Sequence, residues 1–317
     1  MSRLPRAGPG GHTRWLMALA LLAASVAPAR AQDSAVIHVE QPTGIALADY
    51  AATWPNLVPY LDRLGRGARD RTTGELERLA TAPGVSDGIL NLLAQLARED
   101  GRLDDADDFI TRAIAARRTE HRHYFQQGMI FFARLTQASG LGRWTWQQRT
   151  RDAYQKAFDL APEPVPYRYY LVYTLAQAPA IAGGDKNRAL RMTQDGIDRG
   201  QKEFYVVRAD VHRLRGEPEA ALADYDRAME ARTFKLNSFL AAGALAMEKG
   251  DWERARRYFD WAVYCRPDSP RPHEGLGDYF LARGDSGAAG AAYEAAVRAD
   301  PQSVSARAKL ASLGGVR

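Results

Sequence analysis

The feature of this sequence that most limits its fold is self-similarity at a constant offset of 34 residues. Glycines recur in register at this offset, and alanines and an aromatic residue follow each glycine at fixed distances. The matching sets are Gly216, Gly250 and Gly284, then Ala221, Ala255 and Ala289, then Tyr225, Phe259 and Tyr293, then Ala228, Ala262 and Ala296. A period in this range indicates stacked copies of one small unit, none of which can bury its apolar face alone.

The spacing inside each unit predicts an amphipathic helix. Steps of four and three residues lead from Ala221 through Tyr225 to Ala228. This spacing places small, aromatic and small side chains on one helical face. Small residues let two helices approach closely, and the ring can fill the space between successive helix pairs.

Residues that start and stop helices surround this pattern. Asp251 and Asp285 directly follow the turn glycines, where a carboxylate can cap the next helix. Pro218 takes the first helical turn in the preceding unit. Pro267 and Pro301 come where the second helix should end, because proline cannot continue a helix. Each unit is therefore predicted to be a helix, a glycine-containing turn, a second helix and a stop.

The order of small, aromatic, alanine and proline positions resembles the tetratricopeptide repeat. The match is strongest and free of gaps over residues 202–303, and it continues upstream with insertions in two units. Six units are predicted over 87–303. The resemblance implies an all-α fold, a right-handed α-solenoid of stacked helix-turn-helix repeats.

The two ends of the array should carry covering elements, because a terminal repeat would otherwise expose an apolar face. Residues 32–86 are predicted to form an N-terminal extension, extended over 32–45 and with two capping helical stretches around "RTTGEL" over 46–86. Residues 304–317 are predicted to form a C-terminal capping helix.

The N-terminus has the features of a secretory signal peptide. Arginines precede an apolar run of thirteen residues, "WLMALALLAASVA", and Ala29 and Ala31 give the small-residue spacing that a signal peptidase accepts. The run is shorter than the roughly 20 residues that span a bilayer. Residues 1–31 are therefore predicted to be a cleavable signal peptide, cut after Ala31, and the chain to be periplasmic. A retained anchor is the alternative.

Removal of this segment changes the charge balance. The whole chain carries 43 basic and 38 acidic residues, and four of the arginines lie in 1–31. The mature chain keeps 39 basic residues against 38 acidic ones, so its composition does not favour a nucleic-acid partner. It has no second long apolar stretch, and no stable membrane insertion is expected after cleavage.

The single cysteine, Cys265, occupies the repeat position that Ala231 and Ala299 hold in the flanking units. One cysteine cannot form a disulfide within the chain, and no histidine is near it in sequence. We therefore predict that Cys265 packs in the core as a small apolar residue rather than acting as a catalytic thiol.

No catalytic or metal-binding signature stands out. His121 and His123 are two residues apart, so on a helix they point to different sides, and "HEGLG" at His273 lacks the second histidine of a zinc-protease helix. The nucleophile-elbow and phosphate-loop motifs are absent from the sequence. Neither a cofactor, a metal site nor a catalytic residue is predicted, and nothing argues for an enzyme.

The resemblance implies that ligands contact the inner face of each unit's first helix. The residues predicted to lie there are Asp210, Arg213, Asn237, Glu248, Arg271, Glu274 and Asp278. This surface is mixed and leans acidic, which suits a peptide that carries basic residues, although ordinary solvated charges would give the same pattern. The set of lysines, arginine and asparagines with which some family members clamp a terminal carboxylate is not found.

A second candidate surface is the insertion at residues 136–149, which contains Trp144 and Trp146 beside glycines. It is predicted to be a loop. Exposed aromatic residues on a loop often mark an interface. The alternative, which we favour, is that the loop folds back and buries both rings.

Two hypotheses for function follow. The first is a non-catalytic scaffold or adaptor of the periplasm or cell envelope that holds a protein or peptide partner in its concave groove. The second is a small-molecule or solute-binding accessory subunit of an envelope transporter or enzyme, which would need a closed pocket lined by aromatic residues around 144–173.

Overall fold

A computed structural model describes residues 36–39 and 45–314 of the chain. The predicted signal peptide and its cleavage site lie outside these residues. The described chain forms two compact units, one of residues 45–160 and one of residues 161–314 together with 36–39.

The first unit is helical throughout. Its elements are α1 (Leu47–Thr53), a 3-10 turn (Pro55–Leu57), α2 (Val58–Gly65), α3 (Arg69–Ala80), α4 (Asp87–Glu99), α5 (Leu103–Ala116), α6 (His121–Gln137) and α7 (Gly140–Leu160). α4 packs on α5, and α6 packs on α7. The prediction of two helical stretches around "RTTGEL" is wrong, since α3 runs through this sequence and α1 and α2 precede it. Burial of Thr72, Thr73 and Leu76 holds α3 together across Gly74.

The second unit contains four helix pairs and a final helix. Its helices are α8 (Val165–Gln177), α9 (Lys186–Asp198), α10 (Phe204–Arg215), α11 (Pro218–Glu230), α12 (Leu236–Glu248), α13 (Trp252–Cys265), α14 (Pro270–Ala282), α15 (Ser286–Ala299) and α16 (Val304–Gly314), with a 3-10 turn at Ala180–Ala182. α16 packs on α15 and α14. The predicted all-α class of stacked helix-turn-helix units is confirmed.

Caps and turns lie where the repeat spacing places them. Asp251 and Asp285 accept hydrogen bonds from the backbone N–H groups of Arg254 (3.1 Å) and Ala288 (2.8 Å). The turn glycines all have the positive φ that favours glycine: Gly216 (77°), Gly250 (72°) and Gly284 (79°).

The small-and-aromatic pattern is explained by contacts within each helix pair. A Cβ atom added to Gly277 of α14 would lie 2.1 Å from the Tyr293 ring of α15, and one added to Gly243 of α12 would lie 2.5 Å from the Phe259 ring of α13. The first helix of these pairs therefore needs glycine at the point where the ring of the second helix rests on its backbone. Cys265 is buried in α13, as predicted.

A short parallel strand pair connects residues far apart in sequence. β1 (Ile37–His38) lies beside β2 (Thr233–Phe234), with the Ile37 N–H donating to Arg232 O and the Val39 N–H donating to Phe234 O, both at 2.7 Å. β2 lies where the repeat should end in proline. Thr233 stands there in place of the prolines of the next two units, and the chain runs on in an extended conformation.

Across the described part of the chain, no helix combines the length and the apolar character needed to cross a membrane.

Candidate ligand-binding groove

Three first helices of the second unit, α8, α10 and α12, line a pocket of about 230 Å³. We call it the tyrosine pocket; its polar walls are formed by Tyr169, Tyr173, Asp210, Arg213, Lys235 and Asn237. Tyr169 and Tyr173 are four residues apart and therefore share one face of α8. Val207 and Val211 have the same spacing on α10 and give the pocket apolar surface.

Asp210 is saturated by donors from its own chain. Its carboxylate accepts hydrogen bonds from the Tyr225 hydroxyl (2.8 Å), the Lys235 ammonium (2.9 Å) and the Ser238 hydroxyl (2.7 Å). Burial alone would lower the pKa of Lys235, but the Asp210 carboxylate outweighs burial and raises that pKa above its usual value. Burial, assisted by Asp210, also raises the pKa of Tyr225. Asp210 therefore holds neighbouring units together and has little capacity left for a ligand.

A second pocket of about 350 Å³, the C-terminal pocket, lies among α12, α14 and α16. Here Asp278 accepts a hydrogen bond from the Tyr293 hydroxyl at 2.8 Å and pairs with Lys309. Glu274 is buried and accepts a hydrogen bond from the Ser305 hydroxyl at 2.9 Å. The arrangement at Asp210 thus recurs at the end of the array, with α16 supplying the lysine.

The structure brings six of the seven predicted groove residues to these two pockets. Asp210, Arg213 and Asn237 line the tyrosine pocket, and Arg271, Glu274 and Asp278 line the C-terminal pocket. Arg271 donates to the Asn237 side chain at 2.6 Å and connects the two sets. Glu248 is exposed on the last turn of α12 and lines neither pocket. The carboxylates of Asp210, Glu274 and Asp278, which should make the groove acidic, are paired with donors of the same chain.

Sequence reasoning missed Tyr169, Tyr173 and Lys235 as groove residues. Tyr169 is buried in the core, and its ring also lines the pocket. The four-residue spacing of two tyrosines on a first helix is the signal that could have revealed them. Lys235 lies between helices, where helical spacing carries no information.

The predicted interface loop at Trp144 and Trp146 is helical, so that prediction is wrong about the backbone. Helix α7 begins at Gly140 and carries both residues on its first two turns. Trp146 contacts the Phe131 ring at 5.6 Å between centroids, with Arg149 over its face at 5.0 Å. Trp144 keeps 42% of its surface exposed. The insertion therefore lengthens the second helix of its pair.

The first unit contains a buried polar network around His123. The Tyr50 hydroxyl donates to Asn91 Oδ1 (2.6 Å), Asn91 Nδ2 lies 2.7 Å from His123 Nδ1, and His123 Nε2 lies 3.1 Å from Asp87 Oδ2. This order of donors assigns the proton of the ring to Nε2. Burial lowers the pKa of His123, although Asp87 opposes that shift. The Trp54 ring stacks on the imidazole at 5.8 Å, and the network serves packing.

No group of three or more His, Cys, Asp or Glu residues is arranged to hold a metal ion within residues 36–39 and 45–314.

Comparison with known proteins shows which proteins have a similar sequence or architecture. Residues 240–304 match the tetratricopeptide repeat family. No match was found among curated proteins. Among solved structures, a tetratricopeptide repeat protein from Parabacteroides merdae is similar with a TM-score of 0.58 at 13% identity, over 84% of this chain and 98% of that one.

Two further structures share the fold. The C-terminal part of a repeat protein from Cytophaga hutchinsonii has a TM-score of 0.52 at 14% identity, over 80% of this chain and 99% of that one. A chain of the APC/C hetero-tetramer Cut9–Hcn1 has a TM-score of 0.53 at 11% identity, over 84% of this chain and 51% of that one. The 34-residue period, the stacked helix pairs and these matches agree: residues 240–304 match the tetratricopeptide repeat, and the chain has the fold of tetratricopeptide repeat proteins.

Proposed function

We propose that this chain is a non-catalytic scaffold of the periplasm or cell envelope that holds a protein or peptide partner along the first helices of its second unit. Proteins with this fold generally serve as interaction scaffolds. A fold by itself does not fix a function, so the proposal depends on the groove of this particular chain.

The observation that carries the proposal is the pair of pockets on α8, α10, α12 and α14. Both are lined by first helices, and Arg271 of one donates to Asn237 of the other. A partner in extended or helical form could use both pockets as anchors, which is how a few buried groups come to dominate an interface.

The test is capture of a partner by cross-linking in cells that express the chain with its N-terminal segment. Gln177 and Asn237 are exposed at the rim of the tyrosine pocket, so tryptophan at both positions should fill the groove without disturbing the core. The matched control is Gln148→Trp, an exposed position on α7 that lines neither pocket.

A partner captured by the unmodified chain and by Gln148→Trp, but lost with the double variant, is the expected result. Equal capture by all three proteins would exclude the groove as the contact surface. Capture by none would overturn the scaffold proposal.

The location has its own test. Fusion of residues 1–35 to a reporter enzyme that needs disulfides should give activity only after export, because the cytosol keeps thiols reduced. Mass spectrometry of the mature chain should find Gln32 at its N-terminus. An inactive fusion, or an intact Met1 end, would contradict the periplasmic assignment.

A second candidate is the solute-binding accessory subunit, because the tyrosine pocket is lined by two aromatic rings within the region expected for it. Its volume of about 230 Å³ is below the roughly 300–1,000 Å³ of ordinary small-molecule pockets. The pocket therefore suits one functional group better than a whole metabolite, which favours the scaffold.

A further inference from the structure

We propose that the N-terminal end of α7, residues 140–149, binds the surface of a membrane that contains anionic lipids. We call this segment the α7 extension. The inference goes beyond the scaffold proposal, since it uses no groove residue and concerns the first unit alone. It gives a role to the insertion that the repeat does not need, and it describes binding at the surface of a bilayer rather than across it.

The α7 extension projects beyond the length that a repeat needs. Helix α7 has 21 residues, whereas the second helices α5, α9, α11, α13 and α15 have 13 or 14. An excess of about seven residues corresponds to two turns, or about 10 Å of helix. A Cβ atom built on Gly140 or Gly142 would meet nothing within 4 Å outside its own stretch of helix. The backbone of the extension is therefore open to solvent.

Two large apolar side chains of the α7 extension face away from the protein. Leu141 is 78% exposed and Trp144 is 42% exposed, and their spacing of three residues puts them on one side of the helix. Thr150 and Ala157, which are buried, lie on the opposite side, because a helix turns by about 100° per residue. Packing within the protein therefore does not explain why the two outward positions are apolar.

The sequence around the α7 extension carries only positive charge. Residues 121–151 contain five arginines and no aspartate or glutamate. Arg143 and Arg149 lie in the extension itself, and within the described residues neither is ion-paired. The Arg149 guanidinium lies 5.0 Å from the centre of the Trp146 ring, so charge and an aromatic ring are adjacent.

Two carboxylates adjoin this region, and each is already paired. Asp104 of α5 pairs with Arg134, and Asp152, on the next turn of α7, pairs with Arg151, both at 2.6 Å. The guanidinium groups of the extension keep their charge. A surface that binds here should be negatively charged, because complementary charges favour an interface and like charges oppose it.

A lipid surface suits the α7 extension better than a protein partner does. Hot-spot side chains of protein interfaces are buried in well-packed pockets, so a projecting end would need a matching cavity in its partner. Lipids rearrange around an inserted side chain, and tryptophan is enriched where membranes meet water. Anionic phospholipids also supply the negative charge that Arg143 and Arg149 lack.

The test measures sedimentation of the chain with lipid vesicles. The chain begins at Gln32 and keeps every described residue. One vesicle preparation is phosphatidylcholine with one part in four of phosphatidylglycerol, and the other is phosphatidylcholine alone. We expect binding to the anionic vesicles that weakens as salt is added, and much weaker binding to the neutral ones. Equal binding to both preparations, or binding to neither, would overturn the proposal.

Leu141→Ser combined with Trp144→Ser tests the apolar contact. Binding to anionic vesicles should weaken about tenfold or more, because the membrane affinity of a surface-bound helix scales with the apolar area that it buries. The matched control is Leu281→Ser combined with Tyr264→Ser, which removes two exposed apolar side chains from the second unit. Equal loss in both double variants would refute a specific role of the extension.

Arg143→Gln combined with Arg149→Gln tests the charge. Binding should weaken about fivefold for each arginine, the usual contribution of a basic residue near an anionic membrane surface. Arg191→Gln combined with Arg307→Gln is the control, since both arginines are exposed in the second unit and, within the described residues, not ion-paired. Unchanged affinity in the first double variant would refute the contact with lipid headgroups.

Gln148→Trp gives a test that does not depend on a loss. Gln148 is exposed, four residues after Trp144 and on the same side of the helix. Tryptophan there enlarges the apolar surface and should strengthen binding to anionic vesicles, and affinity that stays the same or falls would contradict the proposal. The position lines neither groove pocket, so vesicle binding and groove-dependent capture of a partner succeed or fail separately.

Discussion

At the scale of single residues, the contact between a first-helix glycine and a second-helix ring sets the distance within a pair. Gly277 and Tyr293 show it most closely, because a Cβ at Gly277 would lie 2.1 Å from the ring. Tyr293 is buried and its hydroxyl is held by Asp278, so the ring cannot move away freely.

We expect Gly277→Ala to destabilise the protein by about 1–3 kcal/mol, the usual range for overpacking. Chemical denaturation followed by circular dichroism measures it. Gly290→Ala in α15 is the control: it lies inside the helix and its Cβ would make only an ordinary contact with Leu313 at 3.7 Å, so alanine should stabilise by about 0.5–1 kcal/mol through its helix propensity. Equal effects of the two substitutions would show that the ring contact does not limit packing.

His123 makes stability depend on pH. Burial lowers its folded-state pKa below the usual value near 6.5, so between these two values the unfolded chain binds a proton that the folded chain does not. This contribution to stability is present above about pH 6.5 and is lost as the pH falls toward the folded-state pKa.

His123→Gln should therefore flatten the fall in unfolding free energy just below pH 6.5, even if it lowers stability overall. The measurement is denaturant unfolding at a series of pH values. Burial also lowers the pKa of His121, so His121→Gln measures its share of the slope, and the remainder can be assigned to His123. A slope that survives in His123→Gln would place the proton uptake elsewhere.

At the scale of elements, the strand pair shows what a departure from the repeat can do. β1 is held by backbone donors at Ile37 and Val39, and Val39 is buried. Ile37 is 42% exposed, so its side chain adds little to this contact.

We expect Ile37→Pro to release β1, since proline has no N–H to donate to Arg232 O. Hydrogen exchange at the Val39 amide should become much faster, with a loss of about 0.5–1.5 kcal/mol for the hydrogen bond. Ile37→Ala keeps the donor and should leave exchange nearly unchanged. Slow exchange in both variants would mean that side-chain packing, not backbone pairing, holds the strand.

The sequence predicted the elements that follow from periodicity and missed those that do not. Gly250 and Asp251 mark a turn and a cap within one unit, because backbone conformation and hydrogen bonding at these points are local. The pairing of Asp210 with Lys235 is a contact between neighbouring units, and no spacing within one unit encodes it. The glycines near Trp144 suggested a loop, but the helix continues because its far end is anchored by the buried Tyr154 and Ala157.

At the scale of the whole molecule, α16 both covers the last helix pair and supplies the positive charge of Lys309. Lys309 of α16 pairs with Asp278 and lies 4.0 Å from Glu274, and Ser305 donates to Glu274. Two acceptors in α14, the buried Glu274 and the half-exposed Asp278, therefore depend on a helix outside the repeats.

Termination of the chain after Gln302 should expose the last pair and remove the Ser303 and Ser305 hydroxyls that donate to Glu274. An unsatisfied buried group costs about 1–3 kcal/mol. We expect faster proteolysis within α15 and a lower unfolding midpoint. Removal of residues 315–317 alone is the control and should change neither. Resistance equal to that of the full chain would show that the α14–α15 pair is stable without a cap.

The pairing of β1 with β2 also determines when, during synthesis of the chain, this contact can first form. A ribosome adds about 5–20 residues per second, so Thr233 is made roughly 10–40 seconds after Ile37. The strand that emerges first must wait for four of the six predicted repeats before its partner exists. Helix pairs can fold as they appear, whereas this closure is the long-range step that must come late. The nascent chain thus carries an unpaired strand through most of its synthesis, and the segment at 232–234 arrives before the last two helix pairs and α16 are made.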